Sequence, residues 1–162
     1  MKYGEKKMSL FMKTEQGKQL RVTRCQKCDK IYYPVRENCP DCMDDGKIEQ
    51  IPLSQRGKLF TYSITYIKPL VKGIVSPPYA NGIIEFPEGF KMFAILIDVD
   101  PMTDESMQKR IGTEFEIVSD ANICKNCKKR FFPAVTECPN CGSEGKLEEI
   151  KNNYYAFRPV KN

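Results

Sequence analysis

CQKCDKIYYPVRENCPDCMDDGKIEQI, spanning Cys25–Ile51, returns later in the chain as CKNCKKRFFPAVTECPNCGSEGKLEEI, spanning Cys124–Ile150. Each copy spaces its cysteines Cys-x2-Cys-x10-Cys-x2-Cys. The copies also share Lys30/Lys129, Pro34/Pro133, Pro40/Pro139, Gly46/Gly145 and Lys47/Lys146, and the aromatic pair Tyr32–Tyr33 corresponds to Phe131–Phe132. A Cys-x2-Cys knuckle turns tightly enough for two thiolates to reach one ion. Two knuckles complete a closed tetrahedral site with no position left for water or substrate. A segment this short cannot hold itself together by a core alone, so a metal is expected to stabilise it. The spacing therefore predicts two structural ions, one on Cys25, Cys28, Cys39 and Cys42, the other on Cys124, Cys127, Cys138 and Cys141. Zinc is the expected metal, two per chain; rubredoxin-like iron uses the same ligands and is the alternative metal. Disulfides are the other alternative, in an oxidising compartment. The glycine in each tail permits a turn into a following strand, Lys47–Ile51 or Lys146–Ile150.

Between the copies the pattern changes. Gly57–Ile67 alternates and is rich in β-formers; Tyr79–Phe86, Lys91–Val99 and Gly112–Val118 follow as further strands, and Tyr154–Pro159 as a fifth after the second ribbon. Lys68–Pro78 and Asp100–Lys109 read as loops. Five strands with such connections fit a small OB-type barrel. The fold expected is mostly β: a five-stranded barrel, two four-cysteine ribbons and a short N-terminal helix in which Met8, Leu10, Phe11 and Met12 form an amphipathic turn or two. The corresponding segments are 1–24 for the helix and a lead-in strand, 25–51 for the first ribbon and 52–122 for barrel strands one to four. An inserted second ribbon occupies 123–151, and 152–162 holds the last strand and tail.

Composition narrows the function. In 162 residues, 41% are hydrophobic, but eight of these are cysteines assigned to metal, so the core is modest. No apolar run is long enough to span a membrane and the N-terminus lacks a signal-peptide core, so the expected location is the cytoplasm, where thiols stay reduced. The formal charge of +5 hints at nucleic acid. Eight thiolates and two divalent ions would bring it to about +1, which removes most of that hint. Histidine is absent, which excludes Ser-His and Cys-His nucleophile systems, and the ribbons leave no free thiol. A chain that is not catalytic alone is expected.

The order of pieces around RCQKC, CPDC, GKLFTYSITY, PPYANGIIEF, GTEFEIV and the terminal FRP resembles the OB-fold/zinc-ribbon proteins associated with acyl-CoA metabolism, whose genes accompany thiolase-superfamily enzymes. The resemblance covers roughly Leu10–Val118 and Tyr154–Pro159. Many such proteins have one ribbon. The two-ribbon form is similar to the small subunits of thiolases that cleave 2-benzoylsuccinyl-CoA in anaerobic toluene degradation. The resemblance implies an accessory subunit of an acyltransferase (thiolase) complex that binds a thiolase-like partner, with acyl-CoA at or near the interface. Lys68 and Lys72 are the candidate contacts to CoA phosphates or partner carboxylates, against the plainer reading that both are solvated. The inserted ribbon suggests a lid or a docking arm.

Other readings remain. A single-stranded nucleic-acid module would stack bases on Phe60, Tyr62, Tyr66 and Phe93 and use the basic cluster Lys125, Lys128, Lys129 and Arg130, although those aromatics alternate as core residues do. Electron transfer through iron is a third. A stand-alone enzyme built on Asp98, Asp100, Asp104 and Glu105 is a fourth, and acidic loops are usually solvated turns.

Overall fold

A computed structural model of the chain describes residues 9–43, 47–68, 75–102, 104–143, 145–150 and 154–160. It divides into two compact units. One runs to Gln55 and includes Phe86–Phe90; the other comprises Arg56–Glu85 and the chain from Lys91 onward. No helix among the described residues is long and apolar enough to cross a membrane.

The first unit is built on four antiparallel strands: β1 (Phe11–Thr14), β2 (Gly17–Cys25), β3 (Ile31–Tyr32) and β4 (Ile48–Pro52). β2 is the hub, pairing with the other three. Phe11 lies opposite Leu20, and Val22 opposite Ile51. Phe11, Leu20, Val22, Leu53 and Phe86 are the unit's buried apolar side chains among the described residues, and Cys25 and Cys39 are fully buried as well. Here the expected N-terminal helix is corrected. Phe11 and Met12 lie in β1, and Met8 falls outside the described residues. The hairpin pairs the backbone of Phe11–Thr14 with β2 and still buries Phe11. One helical turn would bury the same ring but leave its terminal N–H and C=O groups unpaired.

The second unit contains β5 (Arg56–Thr65), β6 (Tyr79–Glu85), β7 (Lys91–Leu96), helix α1 (Asp104–Gln108), β8 (Glu114–Val118), β9 (Asn122–Cys124), β10 (Arg130–Phe131), β11 (Leu147–Glu149) and β12 (Ala156–Pro159). Five strands close a barrel in the order β12-β7-β6-β5-β8, and β12 completes it by pairing antiparallel with β8 and parallel with β7. The mostly β fold with a closed five-stranded barrel is as the alternation predicts. Large side chains (Leu59, Ile84, Leu96, Phe115, Phe157) and small ones (Ala80, Ala94, Ala156) are buried together, the mixture that fills a narrow barrel.

Three local expectations change. The loop foreseen at Asp100–Lys109 contains α1, whose Met107 is fully buried; burying one methionine in a polar stretch is enough to order a turn of helix. The third barrel strand stops at Leu96, just before Asp98 adopts a left-handed backbone conformation (φ 57°) that no strand continues through. Phe60 and Phe93 alternate as core residues do, yet are 50% and 62% exposed. The register between β5 and β6 slips between Leu59 and Thr61. That bulge makes Phe60 an extra residue on the outside, where the Lys91 ammonium sits 3.4 Å from its ring centre.

Chain 119–155 leaves the barrel after β8 and returns as β12. Within it, β10-β9-β11 form a three-stranded sheet with the same relative order as β3-β2-β4. This sheet is seated on the barrel: Phe132 packs against Ile97, Val118 and Ala156. Two backbone bonds flank the seat, Ala134 N–H to Asp120 O (2.9 Å) and Ile150 N–H to Ala121 O (3.0 Å).

Candidate metal centres

Each ribbon starts from a strand whose last residue is its first cysteine, Cys25 on β2 and Cys124 on β9. The knuckles then repeat one backbone geometry. Asp29 N–H donates to Cys25 O (2.8 Å), Lys128 N–H to Cys124 O (2.8 Å), Met43 N–H to Cys39 O (2.9 Å) and Gly142 N–H to Cys138 O (2.9 Å). All four residues that close a knuckle have positive φ (62°, 60°, 51° and 62°). Only Gly142 meets that demand without steric cost. The tails return in the same way, with Gln26 N–H to Lys47 O and Lys125 N–H to Lys146 O, both 2.8 Å.

This geometry gathers the sulfurs. Those of Cys25, Cys28, Cys39 and Cys42 all lie within 4.8 Å of one another, as do those of Cys124, Cys127, Cys138 and Cys141. Cys28–Cys39, Cys124–Cys141 and Cys127–Cys138 approach to 3.6 Å. A disulfide would bring a pair to about 2.05 Å. Four thiolates on an ion with bonds of about 2.3 Å stand about 3.8 Å apart at the edges of a tetrahedron. The spacing thus suits a tetrahedral cation and not oxidised cysteine, and all eight cysteines are free of disulfides.

The surroundings favour anionic sulfur at one position and resist it at another. Burial pushes the Cys39 thiol up, but the Tyr32 hydroxyl at 3.3 Å and the backbone amides of Cys42 and Asp41 outweigh it, bringing Cys39 down to about 6. The same contact raises the Tyr32 pKa. Burial pushes Cys42 up to about 12. In the second ribbon the Ser143 hydroxyl (3.2 Å), then the Asn126 amide (3.6 Å), bring Cys141 down to about 6. Burial pushes Cys138 up to about 11. Four sulfurs this close cannot all ionise without a cation between them, and a divalent ion removes that obstacle.

Sequence reading missed the residues that hold the ribbons around the sulfurs. Thr23, two residues before Cys25 and fully buried, accepts Arg36 N–H on its hydroxyl (3.1 Å). Asn122, two residues before Cys124, stands in the same place: its amide donates to Val135 O (2.7 Å) and accepts Val135 N–H (3.5 Å). A polar residue at an inward strand position in both copies was the available signal. Lys30 pairs with Asp41 and Lys129 with Asn140, clasping the two knuckles of each ribbon. The Lys30 pKa is raised and that of Asp41 lowered, each first by their mutual hydrogen bond.

The remaining candidates are dispersed. Lys68 is exposed, and Lys72 lies outside the described residues. In the basic cluster, Lys125 faces Glu148 at 3.5 Å, which offsets part of its charge. Tyr66 is 72% exposed and Tyr62 half-buried. In the acidic loop, Asp100 accepts Met102 N–H (2.9 Å), as a turn residue does, and Glu105 pairs with Lys109 (2.8 Å). None of these makes a catalytic constellation among the described residues.

Residues 18–49 match a family model described as the ChsH2 rubredoxin-like zinc ribbon domain, and residues 50–120 one described as the ChsH2 C-terminal OB-fold domain. The second ribbon lies beyond both. A DUF35 domain-containing scaffold protein of Methanocaldococcus jannaschii is 38% identical over 79 residues, 48% of this chain and 55% of that protein. One from Methanothermobacter thermautotrophicus is 31% identical over 96 residues, 59% of this chain and 68% of that protein. The benzoylsuccinyl-CoA thiolase subunit BbsA of Thauera aromatica is 36% identical over 96 residues, 58% of this chain and 64% of that protein. The chain thus spans between 55% and 68% of the length of these relatives.

Proposed function

The chain belongs to the DUF35 family, in which a ChsH2-type zinc ribbon precedes an OB-fold domain, and on that premise we propose that it is a non-catalytic accessory subunit of an acyl-CoA enzyme complex. One observation carries the reading: every cysteine sulfur belongs to a four-sulfur cluster, and the chain has no histidine. Carbon–carbon cleavage of the thiolase type needs both a free thiolate and a base, so the nucleophile must come from a partner. The partner proposed is a thiolase-like subunit, with the acyl-CoA at or near the interface. The likeness to BbsA supports 2-benzoylsuccinyl-CoA as the substrate class of that complex.

Each cluster is proposed to hold one zinc ion, on Cys25, Cys28, Cys39 and Cys42 and on Cys124, Cys127, Cys138 and Cys141. Zinc there would cross-link two knuckles and leave no open coordination position, so its contribution is to folding. Thiol ligands are consistent with a reducing compartment such as the cytoplasm. The barrel and its seated second ribbon then act as a scaffold. Phe132 on the barrel cluster favours a docking arm over a swinging lid, because a lid would have to lift that ring into water at each opening.

Mild affinity capture of the full chain from its native host tests the subunit reading. The expected result is recovery of a thiolase-like protein in fixed ratio, with acyl-CoA cleavage by the complex and none by the chain alone. Recovery of the chain alone, with nucleic acid only, or turning over acyl-CoA unaided would overturn it. Elemental analysis is expected to give two zinc ions per chain; a red thiolate–iron absorbance would replace zinc with iron.

The Tyr32 contact makes a separate prediction. Phe131 stands at that position in the second ribbon, without a hydroxyl. Tyr32→Phe removes a hydrogen bond to the Cys39 sulfur and is expected to speed chelator-driven metal release from the first ribbon by about ten-fold, as loss of outer-shell partners commonly does. Release followed with a chromogenic chelator should show one accelerated phase and one unchanged. Two unchanged phases would remove Tyr32 from any role at the metal.

A further inference from the structure

A cleft of about 740 Å³ opens beside α1 and the start of β8. That volume lies within the range of small-molecule sites, about 300–1,000 Å³. Its lining includes Ser106, Lys109, Arg110, Gly112, Thr113 and Glu114. Arg110 is half-buried, and its Nε is shielded from solvent without a hydrogen-bond acceptor among the described residues. Arg110 is part of the cleft lining, and a guanidinium is the side chain best shaped to grip a phosphate through two N–H groups. The residue is held in place by its backbone: Arg110 N–H donates to Met107 O (3.1 Å), and Thr113 returns both its N–H (3.0 Å) and its hydroxyl (2.7 Å) to Arg110 O. Met107 beneath this turn is fully buried.

Two neighbours add to the cation. Lys109 pairs with Glu105 in an exposed i,i+4 pair at 2.8 Å in which the lysine side chain is 73% exposed. Such a pair is weak and easily given up for a stronger anion. Gly112 has φ 82°, and nothing lies within 4 Å of where its Cβ would be, so a ligand can approach the backbone there. Glu114 is the opposing charge on the lining. It offsets part of the cationic charge of Lys109 and Arg110, so the fit of a guanidinium to phosphate, and not net charge, carries the selectivity.

We propose that this cleft, centred on Arg110 and Lys109, receives the phosphate groups at the nucleotide end of coenzyme A. The assignment rests on the acyl-CoA reading for the identity of the ligand, and on the cleft alone for its phosphate chemistry. It places the phosphate contact at Arg110 and Lys109 instead of at Lys68 and Lys72.

The test titrates adenosine 3′,5′-bisphosphate, the nucleotide fragment of the coenzyme, into the full metal-loaded chain and follows amide chemical shifts. Saturable shifts are expected across Ser106–Glu114, with none from adenosine lacking phosphates. Arg110→Gln is expected to weaken binding by about ten-fold or more. Lys109→Glu, at an exposed position that leaves folding intact, is expected to weaken it by a similar factor. No saturable shift in the native chain, or equal binding by the Lys109→Glu chain, would overturn the proposal. A chain that recovers an acyl-CoA enzyme yet binds no bisphosphate overturns the cleft assignment alone. A chain that binds the bisphosphate through Arg110 but recovers no such enzyme overturns the subunit reading alone.

Discussion

Replacing Cys39 by serine is expected to halve the metal content of the protein and to unfold the ribbon around it. Cys39 is fully buried, lies 3.6 Å from Cys28 and, against the upward push of burial, has its thiol pKa brought down to about 6 by the Tyr32 hydroxyl and the backbone amides of Cys42 and Asp41. It is therefore better prepared than Cys42 to meet a cation as thiolate at neutral pH. A serine hydroxyl remains protonated there and is a poor ligand for a borderline-soft ion. Structural zinc contributes about 10–16 kcal/mol in comparable four-ligand sites, against a total stability of about 5–15 kcal/mol for a whole domain. Among its described residues the first unit has few other buried apolar side chains besides its cysteines: Phe11, Leu20, Val22, Leu53 and Phe86. Elemental analysis should show one ion per chain in place of two, and hydrogen exchange should show lost protection in β2 and β3 while the barrel strands keep theirs. Two ions per chain with an unchanged melting profile would refute the ligand assignment. Cys138→Ser provides the mirror experiment, with the loss confined to β9–β11.

Gly57→Ala should destabilise the barrel more than any other single methyl addition at its glycines. A Cβ at Gly57 would stand 2.6 Å from Ile84 Cγ2 and 2.7 Å from the backbone oxygen of Glu85. The backbone contact decides the size of the effect, because β6 cannot turn aside as a side chain can. Gly57 also sits where β5 changes partners, pairing with β8 through Arg56–Lys58 and with β6 from Lys58 onward. Relief by strand movement would therefore open the closure itself. Overpacking typically costs about 1–3 kcal/mol, and this site belongs at the top of that range, so a fall in melting temperature of about 10 °C or more is expected. Gly82→Ala is the informative comparison. Its Cβ would meet Leu59 Cδ1 at 2.8 Å and Leu96 Cδ1 at 2.9 Å, both ends of flexible side chains. It should cost less. If Gly82→Ala proved the more damaging, core crowding and not the strand approach at Gly57 would govern the barrel.

The ribbons and the barrel differ in how much of them could be read in advance. Four cysteines at Cys-x2-Cys-x10-Cys-x2-Cys specify a grouping through short-range geometry, since each knuckle is closed by one backbone bond between residues four apart. The sulfur clusters were therefore legible, and so were the strands that alternate, β5 through β8. The N-terminal hairpin was not, because Phe11 satisfies a helical or an extended pattern equally well until Leu20 is seen opposite it. Helix α1 was missed because its order comes from burying Met107, a contact the local pattern does not contain. Phe60 and Phe93 carried the right alternation for a core and lie outside: Phe60 is the extra residue of a bulge in β5, and Phe93 takes the outward face of β7 because Met92, Ala94 and Leu96 take the inward one.

The sequence by itself determined what short-range spacing and alternation specify: the two four-sulfur groupings, the strand that follows each ribbon and the extended state of the barrel strands. Tertiary structure alone decided which edges meet. Ala156–Pro159 becomes a barrel strand only by lying between β8 and β7, and Arg110 lines a cleft only because β8 and the chain after β12 come together beside α1. Backbone hydrogen bonds between strands are the same for every residue type, so the pattern of side chains marks a strand but does not name its neighbour.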